Sequence, residues 1–218
     1  IFFGIDSDRK IHAEQIRSLG LKGIACKICT GKGDFDVTIP IPGYHMVYNA
    51  LAGTAVGLTM GMTMEEIKRG IEKLESLSGR FHIIETEDYT VVDDCYNANP
   101  VSMKASLKVL HDALDRKVAV LGDMGELGEN EKQLHEEVGR VAAQQDIQLL
   151  ICIGPLSAYM AKAAKEENPQ LEVVQKDTLE EGLKLLPGYL KKGDTILVKA
   201  SHFMHFEKIV EALTNKAN

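Results

Sequence analysis

A chain of 218 residues with 44% hydrophobic and 26% charged side chains has the make-up of a globular protein of one or two domains, not of a disordered or fibrous one. Its net charge of −7 excludes a partner that demands a basic surface, so no nucleic acid is expected. No apolar run approaches the ~20 residues of a membrane span, and the four cysteines form no disulfide framework, which points to the reducing cytoplasm and to no membrane.

Residues 1–42 read as strands and turns, with strand-like runs at 1–5, 11–19, 23–29 and 35–41. Cys26 and Cys29 make a lone C-x-x-C in the third run. Three residues apart on a strand, they point to opposite faces, so zinc is not expected between them. Thr30-Gly31-Lys32-Gly33-Asp34 lacks a Ser or Thr after its Lys and lies between two strands, so it reads as a hairpin turn and not as a phosphate loop. The period then changes. Tyr44, Val47, Tyr48, Leu51, Ala55 and Leu58 recur at helical spacing, and His45 and Asn49 share another face of the same helix. With no acid or second His beside it, His45 is expected to be buried or capping, not a metal ligand. Thr63-Met64-Glu65-Glu66 opens a second helix as a capping box, running to near Leu77. Ser78-Gly79-Arg80 breaks it, and a domain boundary is expected there, between 1–80 and 81–218.

From Phe81 strands and helices alternate. Strands are expected at 82–86, 89–93, 117–121, 149–153, 172–175 and 195–199, the first two joined by an antiparallel turn. Helices are expected at 101–114, 129–145, 156–167, 178–186 and 203–214. Met103, Leu107, Leu110 and Leu114 supply one apolar helix face; Leu134, Val138 and Val141 supply another. This alternation implies an α/β fold: a mainly parallel, Rossmann-like sheet with helices on both faces, preceded by a smaller unit of strands and two helices.

Ligands of open α/β sheets bind at the carboxyl ends of strands. Asp93 and Asp94, Asp123 and Glu126, Gly154, and Lys199 with Ser201 all fall at such ends. The richest loop runs from Asp93 to Ser102: two acids, two amides, and Pro100 opening a helix whose N-terminus suits a phosphate. Asn and Asp also cap helices, but two adjacent acids exceed what a cap needs. Arg80 follows a glycine at the expected junction, where a guanidinium could grip phosphate oxygens or simply form a surface ion pair. His202 and His205 stand three apart with no evident third metal ligand. The acids at 126, 129, 131, 136 and 137 read as a solvated helix face.

Asp93-Asp94-Cys95-Tyr96-Asn97-Ala98-Asn99-Pro100 resembles a signature of the Mur ligases. Gly43-Tyr44-His45-Met46-Val47-Tyr48-Asn49-Ala50-Leu51-Ala52, Ser78-Gly79-Arg80, Leu121-Gly122-Asp123-Met124-Gly125-Glu126-Leu127-Gly128 and Val198-Lys199-Ala200-Ser201 resemble further segments of that family, in the same order. Met46, Ala200 and His202 depart from the usual Asn, Gly and Arg. The resemblance implies an ATP-dependent amide ligase, with D-alanyl-D-alanine and UDP-N-acetylmuramoyl-tripeptide as substrates. Residues 1–80 would be the end of a central ATPase domain and 81–218 the third domain. It implies Arg80 at the ATP phosphates, Asn49 near the adenine and Asp94 at the ribose or phosphates. Tyr96 and Asn97 would line the same pocket, and Asn99, Pro100 and Ser102 would face the incoming dipeptide. The phosphate loop and the Mg2+ ligands of the family lie upstream. The chain is therefore expected to be a carboxy-terminal fragment, inactive alone, with no catalytic residue or metal ligand of its own, from a monomeric cytoplasmic enzyme. Arg80 and Asp94 are expected to face a cleft, so that replacing either would not unfold the protein.

Other Mur-type ligases and folylpolyglutamate synthase are the nearest competitors, and Tyr96-Asn97-Ala98-Asn99-Pro100 argues against them. A receiver domain of signalling proteins would share acids and a Lys at strand ends, but the intervals differ and Lys199 is followed by Ala-Ser. A dinucleotide-binding domain would need G-x-G-x-x-G after a strand, which the sequence lacks.

Overall fold

The computed structural model describes residues 1–5 and 8–215. It contains two compact units divided between Ser76 and Leu77. The division precedes the expected boundary at 80/81 because Ser78–Phe81 is bonded to residues of the second unit, as set out below.

In the first unit β1 (Phe3–Gly4) runs parallel to β2 (Ile11–Ser18), and β2, β3 (Ile24–Thr30) and β4 (Gly33–Ile39) follow as an antiparallel meander. Thr30 pairs with Gly33 across a tight turn, and the Thr30 hydroxyl donates to the Gly33 carbonyl at 2.7 Å, which is the hairpin the sequence implies. Strand alternation turns Ile11, Ala13, Ile24, Cys26, Ile28, Val37 and Ile39 to one face. There they pack with Val47, Leu51 and Ala55 of α1 (His45–Thr59) and Ile67 and Ile71 of α2 (Met64–Glu72). His12, Glu14, Lys27 and Cys29 alternate to the opposite face.

Several details differ from the periodic reading. Tyr44 and Tyr48 are 53% and 47% exposed; the buried stripe of α1 is Val47, Ala50, Leu51, Thr54 and Ala55. A tyrosine ring tolerates water at its hydroxyl end, so it is a poor marker of the core face. His45 is exposed in the first helical residue, not buried. The capping box at Thr63 forms, with the Thr63 N–H donating to Glu66 Oε2 at 2.8 Å. The helix nevertheless stops at Glu72, short of Leu77, which is 74% exposed and has no apolar surface to meet.

The second unit is a six-stranded sheet in the order β5-β6-β10-β7-β8-β9. Its strands are β5 (His82–Glu85), β6 (Tyr89–Asp93), β7 (Lys117–Gly122), β8 (Leu149–Ile153), β9 (Glu172–Lys176) and β10 (Asp194–Lys199). β5 is antiparallel to β6 and every other pairing is parallel. The helices are α3 (Pro100–His111), α4 (Glu131–Gln144), α5 (Ser157–Glu167), α6 (Leu179–Tyr189) and α7 (Glu207–Thr214). Val91, Val118, Val120, Ile151, Ile196 and Val198 pack with Leu186, Phe206 and Ile209, so α6 and α7 cover one face. The alternate residues Val92, Ala119, Leu121, Leu150 and Leu197, equally buried, point to the other face, which α3, α4 and α5 cover. This is the mainly parallel α/β sheet the alternation implies.

Three helices differ from expectation. α3 ends at His111 and Leu114 is 99% exposed, because the last turn tightens before it. α4 follows a 3-10 turn at Gly128–Asn130 and buries His135, Val138, Gly139 and Ala142 in place of Leu134 and Val141. Gly139 decides this rotation: a Cβ there would lie 2.1 Å from the Met160 carbonyl oxygen, so only glycine admits the backbone of α5 so closely. The helix expected at 203–214 is broken. A 3-10 turn, His202–Met204, ends in left-handed His205 (φ 54°), and this re-aims the chain so that Phe206 enters the core before α7 starts.

Candidate functional site

The strand order sets the site. From β6 the chain leaves for α3 on one face; from neighbouring β10 it leaves toward α7 on the other. A crevice opens where adjacent strands diverge in this way. The loops after β6, β7 and β10 border it.

The adjacent acids after β6 fasten the entry of the unit. Asp93, 3% exposed, accepts from the Gly79 N–H at 2.7 Å and the Ser78 hydroxyl at 3.2 Å through one oxygen. Its other oxygen accepts from the Cys95 thiol at 3.0 Å. Burial, then this carboxylate, pushes the Cys95 thiol well above its ordinary range, so it is an inert core thiol. Asp94 accepts from the Phe81 N–H at 3.1 Å with Oδ1. Its Oδ2 accepts from the Lys199 ammonium and the Ser106 hydroxyl, each at 2.6 Å. Gly79 (φ 75°) makes the segment possible. A Cβ there would stand 3.0 Å from Tyr96 Cβ, and the Tyr96 N–H donates to the Gly79 carbonyl at 3.0 Å.

The consequence is the position of Arg80. It is exposed, and its guanidinium carbon lies 4.0 Å from the centroid of the Tyr96 ring. Stacking of this kind steadies a cation without consuming its hydrogen-bond donors. The His202 ring also lies near Tyr96, 5.6 Å away centroid to centroid. Lys199, only 2% exposed, also donates to the Asn97 carbonyl at 3.1 Å, so the ammonium fixes the loop from beneath. The Asn97 side chain accepts from its neighbour's Ala98 N–H at 2.8 Å and is exposed.

Asn99 and Ser102 form a reciprocal cap on α3: the Ser102 N–H donates to Asn99 Oδ1 at 2.8 Å, and the Asn99 N–H donates to Ser102 Oγ at 3.1 Å. Pro100 fills the first helical position, where it has no bond to lose. After β7, Asp123 accepts from the Ser157 N–H at 2.6 Å and the Leu156 N–H at 3.2 Å, so its charge caps α5. Ser201 accepts from the Gly125 N–H at 2.9 Å. Glu126 is exposed in a left-handed conformation (φ 60°).

Arg80, Asp94, Tyr96, Asn97, Asn99, Pro100 and Ser102 therefore share one edge of the second unit. Asn49 belongs to the first unit, exposed on α1, with its amide 3.3 Å from Met46 Sδ. Three residues at this edge have contacts that the reading of the sequence did not assign. Ser106 bonds Asp94 from one turn beyond the cap. The His202 ring packs at a tilt of 40° against Tyr96. Buried His135 accepts from the Met124 N–H at 3.0 Å, with its other nitrogen 2.6 Å from the Glu131 carbonyl. A carbonyl only accepts, so this ring is the neutral Nδ1–H tautomer, holding the loop after β7. A His on the buried stripe of α4 was the available signal.

Comparison with known proteins gives a consistent picture. Residues 79–202 match the family model described as "Mur ligase, glutamate ligase domain". The chain is 36% identical over 216 residues to UDP-N-acetylmuramoyl-tripeptide–D-alanyl-D-alanine ligase of Buchnera aphidicola subsp. Baizongia pistaciae, covering 98% of this chain and 45% of that protein. Among solved structures it resembles MurF from Acinetobacter baumannii (TM-score 0.86, 29% identity, 97% of this chain and 46% of that one). It also resembles MurF from Thermotoga maritima in complex with ADP (TM-score 0.79, 25% identity, 97% and 47%). The chain thus spans less than half the length of the relatives it matches.

Proposed function

The chain belongs to the Mur ligase family, and we propose that it works as the carboxy-terminal part of an ATP-dependent ligase joining D-alanyl-D-alanine to UDP-N-acetylmuramoyl-tripeptide. In this reading residues 1–80 end a central ATP-binding domain, 81–218 form the third domain, and the protein acts as a cytoplasmic monomer. The names of the related ligases support the substrates. The observation that carries the reading is Arg80, exposed and stacked on Tyr96 in a segment that Asp93 and Asp94 hold in place.

The residues fit a nucleotide. Arg80 offers a guanidinium fork to phosphate oxygens, with Tyr96 and exposed Asn97 beside it. Asn49, on the exposed face of α1, is assigned to the adenine. Asp94 spends its carboxylate on Phe81, Ser106 and Lys199, so it serves the nucleotide by positioning Arg80 and the Asn97 loop. Asn99, Pro100 and Ser102 serve the dipeptide by fixing the start of α3. Magnesium does not fit this edge: Asp93, Asp94 and Asp123 already accept from protein donors.

ATP would transfer its γ-phosphoryl group to the peptide carboxylate with release of ADP, and the dipeptide amine would then displace phosphate from that carbonyl and give up a proton as the amide forms. The groups described here would hold the nucleotide and aim the amine; correct placement of two reactants is itself a large part of such catalysis.

The test is ligase kinetics on the intact protein that contains this chain. Phosphate release should require both UDP-N-acetylmuramoyl-tripeptide and D-alanyl-D-alanine, and Arg80→Ala should lower kcat and raise the KM for ATP, together by about ten- to a hundredfold. Arg80→Lys should recover only part, since it keeps charge and loses the fork. Turnover with glutamate and a folate in place of these substrates would reject the assignment.

A further inference from the structure

The polar face of the first unit's sheet carries a further cluster. His12 and Cys29 are direct cross-strand partners in the β2–β3 ladder, and Glu14 stands two residues along β2 on the same side. One ligand atom from each, a ring nitrogen, the thiol sulfur and a carboxylate oxygen, lies within 4.8 Å of the other two. We propose that His12, Glu14 and Cys29 form a binding site for a divalent transition metal of the zinc type.

The hydrogen bonds of His12 turn one ring nitrogen toward an anion. Its Nδ1 lies 2.8 Å from the Arg9 carbonyl, which can only accept, so Nδ1 carries the hydrogen. Nε2 lies 3.2 Å from Glu14 Oε1, which as a carboxylate also only accepts. A neutral ring would thus aim a lone pair at a lone pair. Either a proton or a cation must sit between them. Cys29 selects the cation, since it brings a third donor to the same point. It is only 7% exposed although it belongs to the polar face of its sheet, where no apolar layer requires a buried thiol. The mixed N, O and S donor set suits zinc or cobalt better than magnesium or calcium.

The surroundings agree. The Arg9 carbonyl on Nδ1 is the kind of outer contact that orients metal-bound histidines. Lys27, close by, has its charge matched by Asp34 at 3.2 Å. Burial, then Asp34 and Glu14, keep the Cys29 proton on, so the metal must displace it; the resulting thiolate and Glu14 together balance a double positive charge. Three protein ligands leave a coordination position for solvent. The alternation that separates Cys26 from Cys29, and so rules out the C-x-x-C pair, is what brings Cys29 to His12 and Glu14.

The experiment is a titration of the reduced protein with Co2+, reading thiolate-to-cobalt charge-transfer absorption in the near ultraviolet, followed by displacement with Zn2+. A saturable band that zinc removes is expected, absent in Cys29→Ser and unchanged in Cys26→Ala. His12→Gln and Glu14→Gln should each weaken cobalt by at least about 10–100-fold. Zinc should raise Tm in the wild type and not in His12→Gln. No band, a band that survives Cys29→Ser, or equal affinity in His12→Gln would overturn the site. If Cys29→Ser does not fold, Glu14→Gln, at an exposed position, and His12→Gln, at a half-buried one, decide it.

Discussion

The two sheets of this protein handle their faces differently, and that difference decides where each can carry chemistry. The sheet of the first unit is antiparallel beyond its first strand and keeps one face against α1 and α2. Its strands alternate apolar with polar residues, so reactive side chains stand on the free face itself. The sheet of the second unit is covered on both faces, and β7, β8 and β10 are buried at every position. Nothing on the faces of those three strands is available to a ligand. Its chemistry is pushed to the carboxyl ends of the strands, where loops must be built and held by buried polar bonds.

The comparison breaks first in the doubly covered core. Phe206 is fully buried against the sheet of the second unit, so Phe206→Ala should cost about 3–5 kcal/mol. Urea denaturation followed separately by probes in each unit should show the loss in the second unit; a loss confined to the first would mean the assignment of cores is wrong.

The edge comes next. Asp94→Asn leaves the Lys199 ammonium, 2% exposed, without its anion, and such a break costs about 3 kcal/mol or more. This reverses the expectation, drawn from sequence, that Asp94 lines an open cleft and can be replaced without loss of stability. Thermal melts of Asp94→Asn beside Arg80→Ala test it: Arg80→Ala should melt like the wild type. Equal melting of both variants would return Asp94 to the cleft.

Asn99 gives a smaller effect that separates two roles. Asn99→Ala removes the cap of α3 and should cost ~1 kcal/mol, while Asn99→Asp should restore most of that stability. If Asn99 also meets the dipeptide, Asn99→Asp will regain stability without regaining the KM for D-alanyl-D-alanine. Full recovery of both would leave the cap as its whole role.

The mildest test contrasts the faces of the first sheet. Burial, then the charge of Asp36, pushes the Cys26 thiol from 9.0 up to about 11. The unfolded chain therefore loses this proton at lower pH than the folded one. Folding stability should fall as pH rises from 9.0 to about 11 and level off above. Cys26→Ala should reduce that alkaline loss; an unchanged pH profile would show that burial does not hold the Cys26 proton in the folded protein.

Much of this molecule was legible in the residues themselves. Continuous apolar runs at Val118–Leu121 and Leu149–Ile153 mark strands covered on both sides, and alternation in 11–18 marks one covered on one side, because a strand's side chains must take the polarity of whatever they face. Thr63 and Glu66 announced their cap, and Asp93 to Pro100 announced the edge. These are local rules, satisfied within a few residues. What the sequence left open are choices made between distant segments. Gly139 rotates α4 because the Met160 carbonyl lies against it. Left-handed His205 breaks the last helix because Phe206 has a place in the core. Asp94 is tied down because Lys199, 105 positions away, points at it from the neighbouring strand. Strand pairing order alone determines which side chains share such a point, and pairing order is a property of the whole packed sheet.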